Sequence, residues 1–375
     1  MKRLLLGCLI GCLLLGGGSV AAREIKVLQL NIWQEGTSVP GGYESMVDEI
    51  AYADADFVML SEVRNYNGTR FCDRLVESLR AKGKTYYSFK SKDSGLLSRY
   101  PIEDSVTIFP ECDDHGSMYK LIATLPEGQR VSVYTAHLDY MNCAYYRVRG
   151  YDGSTWAELP APDTDLASIL ADNVASQRDD AIRLFLADAA RDAAAGNLIF
   201  LAGDFNEPSH RDWTEATRDS ADHHGMVVPW TVTTLLEEAG YADAYRVKYP
   251  NPVTHPGYTY PADCPGAKMS QLWWAPKADE RERIDLIFYR PDRRLKLRDV
   301  VIFGPRGSVR RGERMVESSQ DRFLLPATDN WPTDHKGVLA TFRVRCSAGG
   351  NEKYLLESLQ FRIKGSIFAV AIGGE

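Results

Sequence analysis

The chain has 375 residues, 44 % of them hydrophobic, no low-complexity tract and a formal net charge of −7. Such a chain suits one large α/β domain or two small ones, with ample core. The acidic balance argues against tight, sequence-independent duplex binding through a broad basic surface, which needs many phosphate contacts.

Residues 1–22 read as an export signal: Lys2-Arg3, an apolar run over 4–15, and Ser19-Val20-Ala21 as a small-x-small cleavage site. The apolar run is too short for a membrane span. Leu9-Ile10-Gly11-Cys12 also has the pattern of a bacterial lipobox, in which Cys12 would become a lipidated first residue; the three leucines that follow fit this poorly. Either way the mature chain is expected in the periplasm or outside the cell. Loss of Lys2 and Arg3 takes its net charge to near −9. Cys72, Cys112, Cys143, Cys264 and Cys346 remain. In an oxidising compartment they allow one or two disulfides with at least one thiol left over, and their spacing offers no structural zinc site.

Strand-like runs and amphipathic helices then alternate over 23–346. Cys72, Leu75, Val76 and Leu79 predict a helix over 71–82; Ile182, Phe185, Leu186 and Ala189 predict one before Gly196. The runs at 57–60 and 198–202 are apolar throughout and should be buried on both faces. Alternation at 121–125 and 130–134 predicts an antiparallel pair joined at Pro126-Glu127-Gly128-Gln129. Buried sheet with outer helices gives a layered α/β sandwich. Two insertions interrupt it: 142–176, rich in Tyr, Arg and Trp156, and 213–230, whose His223-His224 reads as a solvated pair. The tail 347–375 fits no period.

The chemistry sits where the strands end. Asn31, Glu62, His137, and Asp204 with Asn206 each follow an apolar run. Asp285 lies inside Arg283-Ile284-Asp285-Leu286-Ile287-Phe288, and Asp334-His335 precede Val338-Leu339-Ala340. Singly, each has a bland explanation: a turn or helix cap, a core histidine, or, for Asp285, an ion pair with Arg283. Together they supply what phosphate-ester hydrolysis needs. Glu62 and Asp334 suit Mg²⁺, which takes one or two carboxylates and keeps several waters. Asn31 would act as a neutral oxygen donor or water-holder. Asp204 would activate the attacking water, with Asn206 on the same side of an extended segment. His335, held by Asp285, and His137 would contact the phosphate.

The ordered set Leu30-Asn31, Ser61-Glu62-Val63, Gly95-Leu96-Leu97-Ser98-Arg99-Tyr100-Pro101-Ile102, Ala136-His137-Leu138, Gly203-Asp204-Phe205-Asn206, Arg283-Ile284-Asp285-Leu286-Ile287-Phe288 and Thr333-Asp334-His335 resembles the endonuclease/exonuclease/phosphatase superfamily. The resemblance implies a four-layer α/β/β/α sandwich with two packed mixed sheets and a Mg²⁺ or Mn²⁺ site at one sheet edge. It also implies the roles given above: Asn31, Glu62 and Asp334 around the metal, Asp204 and Asn206 at the nucleophile, His137 and His335 about the phosphate. Ser61 stands where many relatives carry glutamine. His137 stands where abasic-site endonucleases carry tyrosine, which places the chain nearer the nuclease, phosphatase and sphingomyelinase branches.

Three functions follow as expectations. The first is an exported metal-dependent nuclease or phosphodiesterase acting on nucleic acid or a small phosphodiester, without a stable protein partner; here Arg147, Arg149 and neighbouring tyrosines would form a lid, with Arg64 and Arg70 nearby. The second is a sphingomyelinase-like phospholipase C, for which Leu272-Trp273-Trp274 would be the membrane-entering tip. The third is a non-catalytic surface binding module, which would usually have lost an acidic position; none is missing.

Overall fold

The computed structural model describes residues 22–109 and 116–345. The leader with Cys12, the residues Cys112 and Cys346, and the tail 347–375 lie outside the described residues. Strands run in chain order β1 (Ala22–Asn31), β2 (Phe57–Ser61), β3 (Tyr87–Ser88), β4 (Gly95–Ser98), β5 (Ile102–Phe109), β6 (Ser117–Thr124), β7 (Arg130–His137) and β8 (Leu198–Asp204). Then come β9 (Ala242–Asp243), β10 (Asp285–Tyr289), β11 (Leu295–Phe303), β12 (Gly307–Arg310), β13 (Glu313–Val316), β14 (Phe323–Leu324) and β15 (Gly337–Arg345). The helices are α1 (Gly42–Ala53), α2 (Phe71–Ala81), α3 (Tyr145–Val148), α4 (Leu166–Asn173), α5 (Arg178–Ala194), α6 (Thr231–Glu238) and α7 (Ala244–Lys248).

One mixed sheet is ordered β14-β11-β15-β1-β2-β4-β3 and a second β5-β6-β7-β8-β10-β9. Successive strand residues point to opposite faces, so each central strand feeds two cores. Ile25, Val27, Phe57 and Met59 meet Val131, Val133, Phe200 and Ala202 between the sheets. Leu28, Leu30, Val58 and Leu60 turn outward under α1 and α2, while Tyr134, Ile199 and Leu201 turn outward under α5 and α6. That double use explains why 57–60 and 198–202 contain no polar alternation. The result is an α/β/β/α sandwich. Phe200 and Phe342 meet edge to face across its middle at 5.1 Å, and Phe200→Ala there should cost about 3–5 kcal/mol. The antiparallel pair β6–β7 has the expected turn, with Thr124 opposite Arg130.

Strand direction places the site. In parallel β1–β2, Asn31 lies opposite Ser61; in parallel β7–β8, His137 lies opposite Asp204. These C-terminal ends open onto one edge of the sandwich. β10 and β15 run antiparallel to their neighbours and bring their N-terminal ends there, Asp285 opposite Asp204 and Val338 opposite Gln29.

One expectation, a solvated His223-His224 pair, is corrected here. The two insertions pack on each other around Tyr145, Tyr146, Trp213 and Trp230. Within that cluster His223 is buried and stacked on Trp213 at 3.7 Å, so only His224 is solvated. Among the described residues the cysteines form no disulfide: Cys72, Cys143 and Cys264 are free and buried.

Candidate active site

Two polar side chains inside the sandwich tie its sheets together beneath the site. Ser61 Oγ donates to Ala136 O at 3.1 Å and accepts from Asp204 N at 3.2 Å. Gln29 Nε2 reaches Ser61 Oγ and Asp285 Oδ1, both at 3.3 Å. Asp204 is thus held from the other sheet. Gly203 permits the approach of β7, since a Cβ there would fall 2.1 Å from Ala136 O.

Asn31 is the hub. Its Nδ2 donates to Glu62 Oε1 and to Asp204 Oδ2, each at 2.9 Å, and its Oδ1 accepts from Trp33 N at 2.9 Å. The Trp33 N–H requires an oxygen, which fixes the amide orientation. Asn31 therefore presents nitrogen to the two carboxylates and bridges them, with its oxygen on the Trp33 amide. Glu62 Oε2 accepts from Gln34 N at 2.9 Å. Gln34 lies in a left-handed turn, with Trp33, Gln34, Glu35 and Gly36 at φ 40, 56, 63 and 71°. Each non-glycine residue there costs about 1–2 kcal/mol, offset by its hydrogen bonds: Glu35 Oε1 takes Arg64 N at 2.8 Å and Thr69 Oγ1 at 2.6 Å. Glu62 and Asn206 also have positive φ, 65 and 48°, and strain of this kind clusters at functional sites.

Both histidines are oriented by buried carboxylates. His335 Nδ1 lies 2.8 Å from Asp285 Oδ2, and its Nε2 lies 3.7 Å from Asp204 Oδ2. His137 Nδ1 lies 2.8 Å from Asp93 Oδ2, which also accepts from Ser117 Oγ at 3.1 Å. Burial opposes charging of each imidazole, but the carboxylates prevail: Asp285 and Asp204 bring His335 to about 10, and Asp93 leads in holding His137 well above its ordinary value. Burial raises Asp204 and Asp334, against the opposing pull of His335.

Other details depart from expectation. Asn206 does not continue an extended segment: β8 ends at Asp204, and Asn206 N folds back onto Asp204 Oδ1 at 2.9 Å while its Nδ2 donates to Leu138 O at 2.9 Å. Arg283 pairs with Asp212 and Asp243, leaving Asp285 to His335. Arg147 is tied to Asp163 and Arg149 is buried on Glu282, so neither forms a lid. Arg64 Nη1 donates to Gln34 Oε1 at 3.0 Å, and Arg70 pairs with Asp73. Leu272 is buried and Trp273 packs beside it, which leaves Trp274 as the one open ring of 272–274.

Glu62, His137, Asp204, Asn206, Asp334 and His335 line one cleft of about 260 Å³, together with Trp33, Tyr140, Tyr145, Tyr146, Trp156, Tyr260 and Trp274. Asp285 and Asn31 stand behind it. Sequence reasoning missed Asp93, Gln29 and the cleft aromatics Trp33, Tyr140 and Tyr260; Asp93 had one signal, its place two residues before the Gly95 motif. Two donor sets could hold a cation. Asp204, Asp285 and His335 bring one ligand atom each within 4.8 Å of one another, but Asp285 Oδ2 is already engaged by His335 Nδ1 at 2.8 Å. Glu62 and Asp334 are hard oxygen donors of the kind Mg²⁺ takes, and they are the better fit.

Residues 28–335 match the family described as Endonuclease/Exonuclease/phosphatase family. An uncharacterized protein of Caenorhabditis elegans is 26 % identical over 268 residues, covering 71 % of this chain and 78 % of its own. Among solved structures, an endonuclease/exonuclease/phosphatase from Beutenbergia cavernae is 18 % identical with a TM-score of 0.48, over 86 % of this chain and 72 % of that one. The human nocturnin catalytic domain with bound sulfate is 14 % identical with a TM-score of 0.47, over 85 % and 94 %. A 3′-5′ exonuclease from Neisseria meningitidis is 16 % identical with a TM-score of 0.46, over 84 % and 98 %. The match across most of the chain makes it a member of the endonuclease/exonuclease/phosphatase family, and so a hydrolase of phosphate esters.

Proposed function

We propose that the chain is an exported, Mg²⁺-dependent phosphoesterase of the nuclease or phosphodiesterase type, with Mn²⁺ as a substitute ion. One observation carries this reading: Asn31 joins Glu62 to Asp204, and Asp204 in turn lies 3.7 Å from His335. A metal-type carboxylate, a base and a cationic donor therefore converge within one cleft. Bound by Glu62 and Asp334, Mg²⁺ would polarise the phosphoryl group and offset its charge.

The chain's own residues do the rest. Asp204, raised by burial, takes the proton of the attacking water. The water oxygen bonds to phosphorus as the ester P–O bond breaks. His335 and His137, both favoured as imidazolium, donate to non-bridging oxygens whose charge grows in the transition state. Asn206 lines the cleft beside Asp204 and orients the phosphate. The substrate is a nucleic acid or small phosphodiester, and the leader over 1–22 directs export.

The test is hydrolysis by residues 23–375, with Mg²⁺ and with EDTA, on DNA, RNA, bis-p-nitrophenyl phosphate, p-nitrophenyl phosphate, inositol phosphates and sphingomyelin. EDTA-sensitive cleavage of DNA, RNA or the diester is expected. Cleavage of sphingomyelin alone would replace this reading with a phospholipase C. Cleavage undiminished by EDTA would remove the metal from it. Amino-terminal sequencing of the exported chain checks the leader.

A further inference from the structure

An aromatic ladder runs from the buried insertion core to the cleft. Tyr145 rests on Tyr146 at 4.6 Å, Tyr146 on Trp156 at 4.9 Å, and Trp156 on Trp274 at 5.0 Å. The tyrosines are buried, whereas Trp274, the last rung, is 50 % exposed where it lines the cleft. The ladder is pinned at two points by one buried carboxylate. Glu280 Oε2 accepts from Tyr146 Oη at 2.9 Å, Trp274 N at 3.1 Å and Ala275 N at 3.2 Å. A half-exposed indole held this rigidly is a preorganised surface, because little freedom remains to be lost when a ring settles on it.

Charge narrows what that ring is attached to. Among the described residues lining the cleft there is no lysine or arginine. His137 and His335 suit one phosphate group, and the aromatic wall offers no cation to a second. A volume of about 260 Å³ falls near the low end of small-ligand pockets, roughly 300–1,000 Å³.

Resting on the phosphoesterase reading above, we propose that the Trp156–Trp274 wall is a stacking subsite for one planar ring, a nucleobase, carried by an ester with a single phosphate. Every nucleobase offers a π-face to an indole, so the subsite selects for a base while tolerating its identity.

Adenosine 5′-monophosphate and ribose 5-phosphate share the ribose and its single phosphate, the nucleotide bearing adenine where the sugar phosphate bears a hydroxyl, and calorimetry on the full chain with Mg²⁺ compares them. The nucleotide is expected to bind about tenfold tighter or more. Trp274→Ala should bring the two affinities together, and Trp274→Phe, which keeps a π-face, should restore most of the difference. Equal affinities in the wild type, or a difference that survives Trp274→Ala, would overturn the subsite. Glucose 6-phosphate binding as tightly as the nucleotide would overturn the planar-ring assignment in favour of a sugar. A chain that cleaves diesters without this discrimination loses the subsite and keeps the reaction; one that discriminates yet cleaves nothing keeps the subsite and loses the reaction.

Discussion

His335 and Asp285 meet Nδ1 to Oδ2 at 2.8 Å across the gap between the two sheets. His335 belongs to the segment entering β15 in the seven-stranded sheet, and Asp285 opens β10 in the six-stranded one. His137 and Asp93, also at 2.8 Å, cross the same gap the other way, the histidine ending β7 and the aspartate preceding β4. Closing the sandwich therefore sets both imidazoles at once. Each is gripped by Nδ1, which leaves Nε2 for the cleft.

Asp285→Asn and Asp93→Asn should each lower turnover by about ten- to a hundredfold, because an amide does not stabilise the imidazolium as a carboxylate does. The Mg²⁺ concentration giving half-maximal rate should stay near wild type, since neither residue is assigned to the metal. Steady-state rates across a metal titration read both quantities. Wild-type turnover in either variant would remove that dyad from the mechanism.

Glu62→Gln should separate metal binding from proton transfer. Glutamine can still accept one of the bonds from Asn31 Nδ2 and Gln34 N, but it brings no charge to a hard cation. The Mg²⁺ requirement should rise by about tenfold or more, with partial recovery at saturation. Asp204→Asn should instead lose at least about a hundredfold in turnover at every Mg²⁺ concentration. Identical metal curves for Glu62→Gln and wild type would reassign the cation to the trio of Asp204, Asp285 and His335.

The strand ends were legible because polar residues closing apolar runs stand out, and strand direction alone carries them to one edge. Asn31, Glu62, Asp204 and His335 could be grouped this way without knowing a single contact. Contacts between the sheets left no such trace. Gln29 and Ser61 alternate within strands like any buried polar residue, and Asp93 sits in a polar loop. The environment of His223 is hidden for a related reason: its polar neighbours suggest solvent, whereas its burial depends on Trp213, ten residues earlier. For Arg147 and Arg149 the sequence alone suggests substrate contacts, because their partners, Asp163 and Glu282, are set by tertiary packing.

The cysteines give a prediction independent of catalysis. Burial pushes the thiols of Cys72, Cys143 and Cys264 up to about 12, so almost no thiolate is present near neutral pH. Native protein treated with iodoacetamide at about pH 8 should remain unlabelled at all three, and denatured protein should label at each. Peptide mass spectrometry separates the sites. Rapid labelling of Cys143, which borders the cleft, would mean that reagent reaches its thiol from there and that burial does not protect it.

Glu280, which pins that wall, should make stability depend on pH. Burial raises its carboxyl from 4.5 to about 7, only partly opposed by its bonds from Trp274 N, Tyr146 Oη and Ala275 N. The folded chain therefore holds this proton over a range in which the unfolded chain has released it. Stability from this group is fully present below about 4.5 and declines as pH rises toward 7, above which no further change follows. Glu280→Gln cannot titrate, so the variant should lack that part of the slope. Its melting temperature relative to wild type should rise between about pH 5 and 7.5, even if the amide packs less well at every pH. Parallel melting curves for the two proteins over that window would show that Glu280 is already ionised in the native chain, with its three donors outweighing burial.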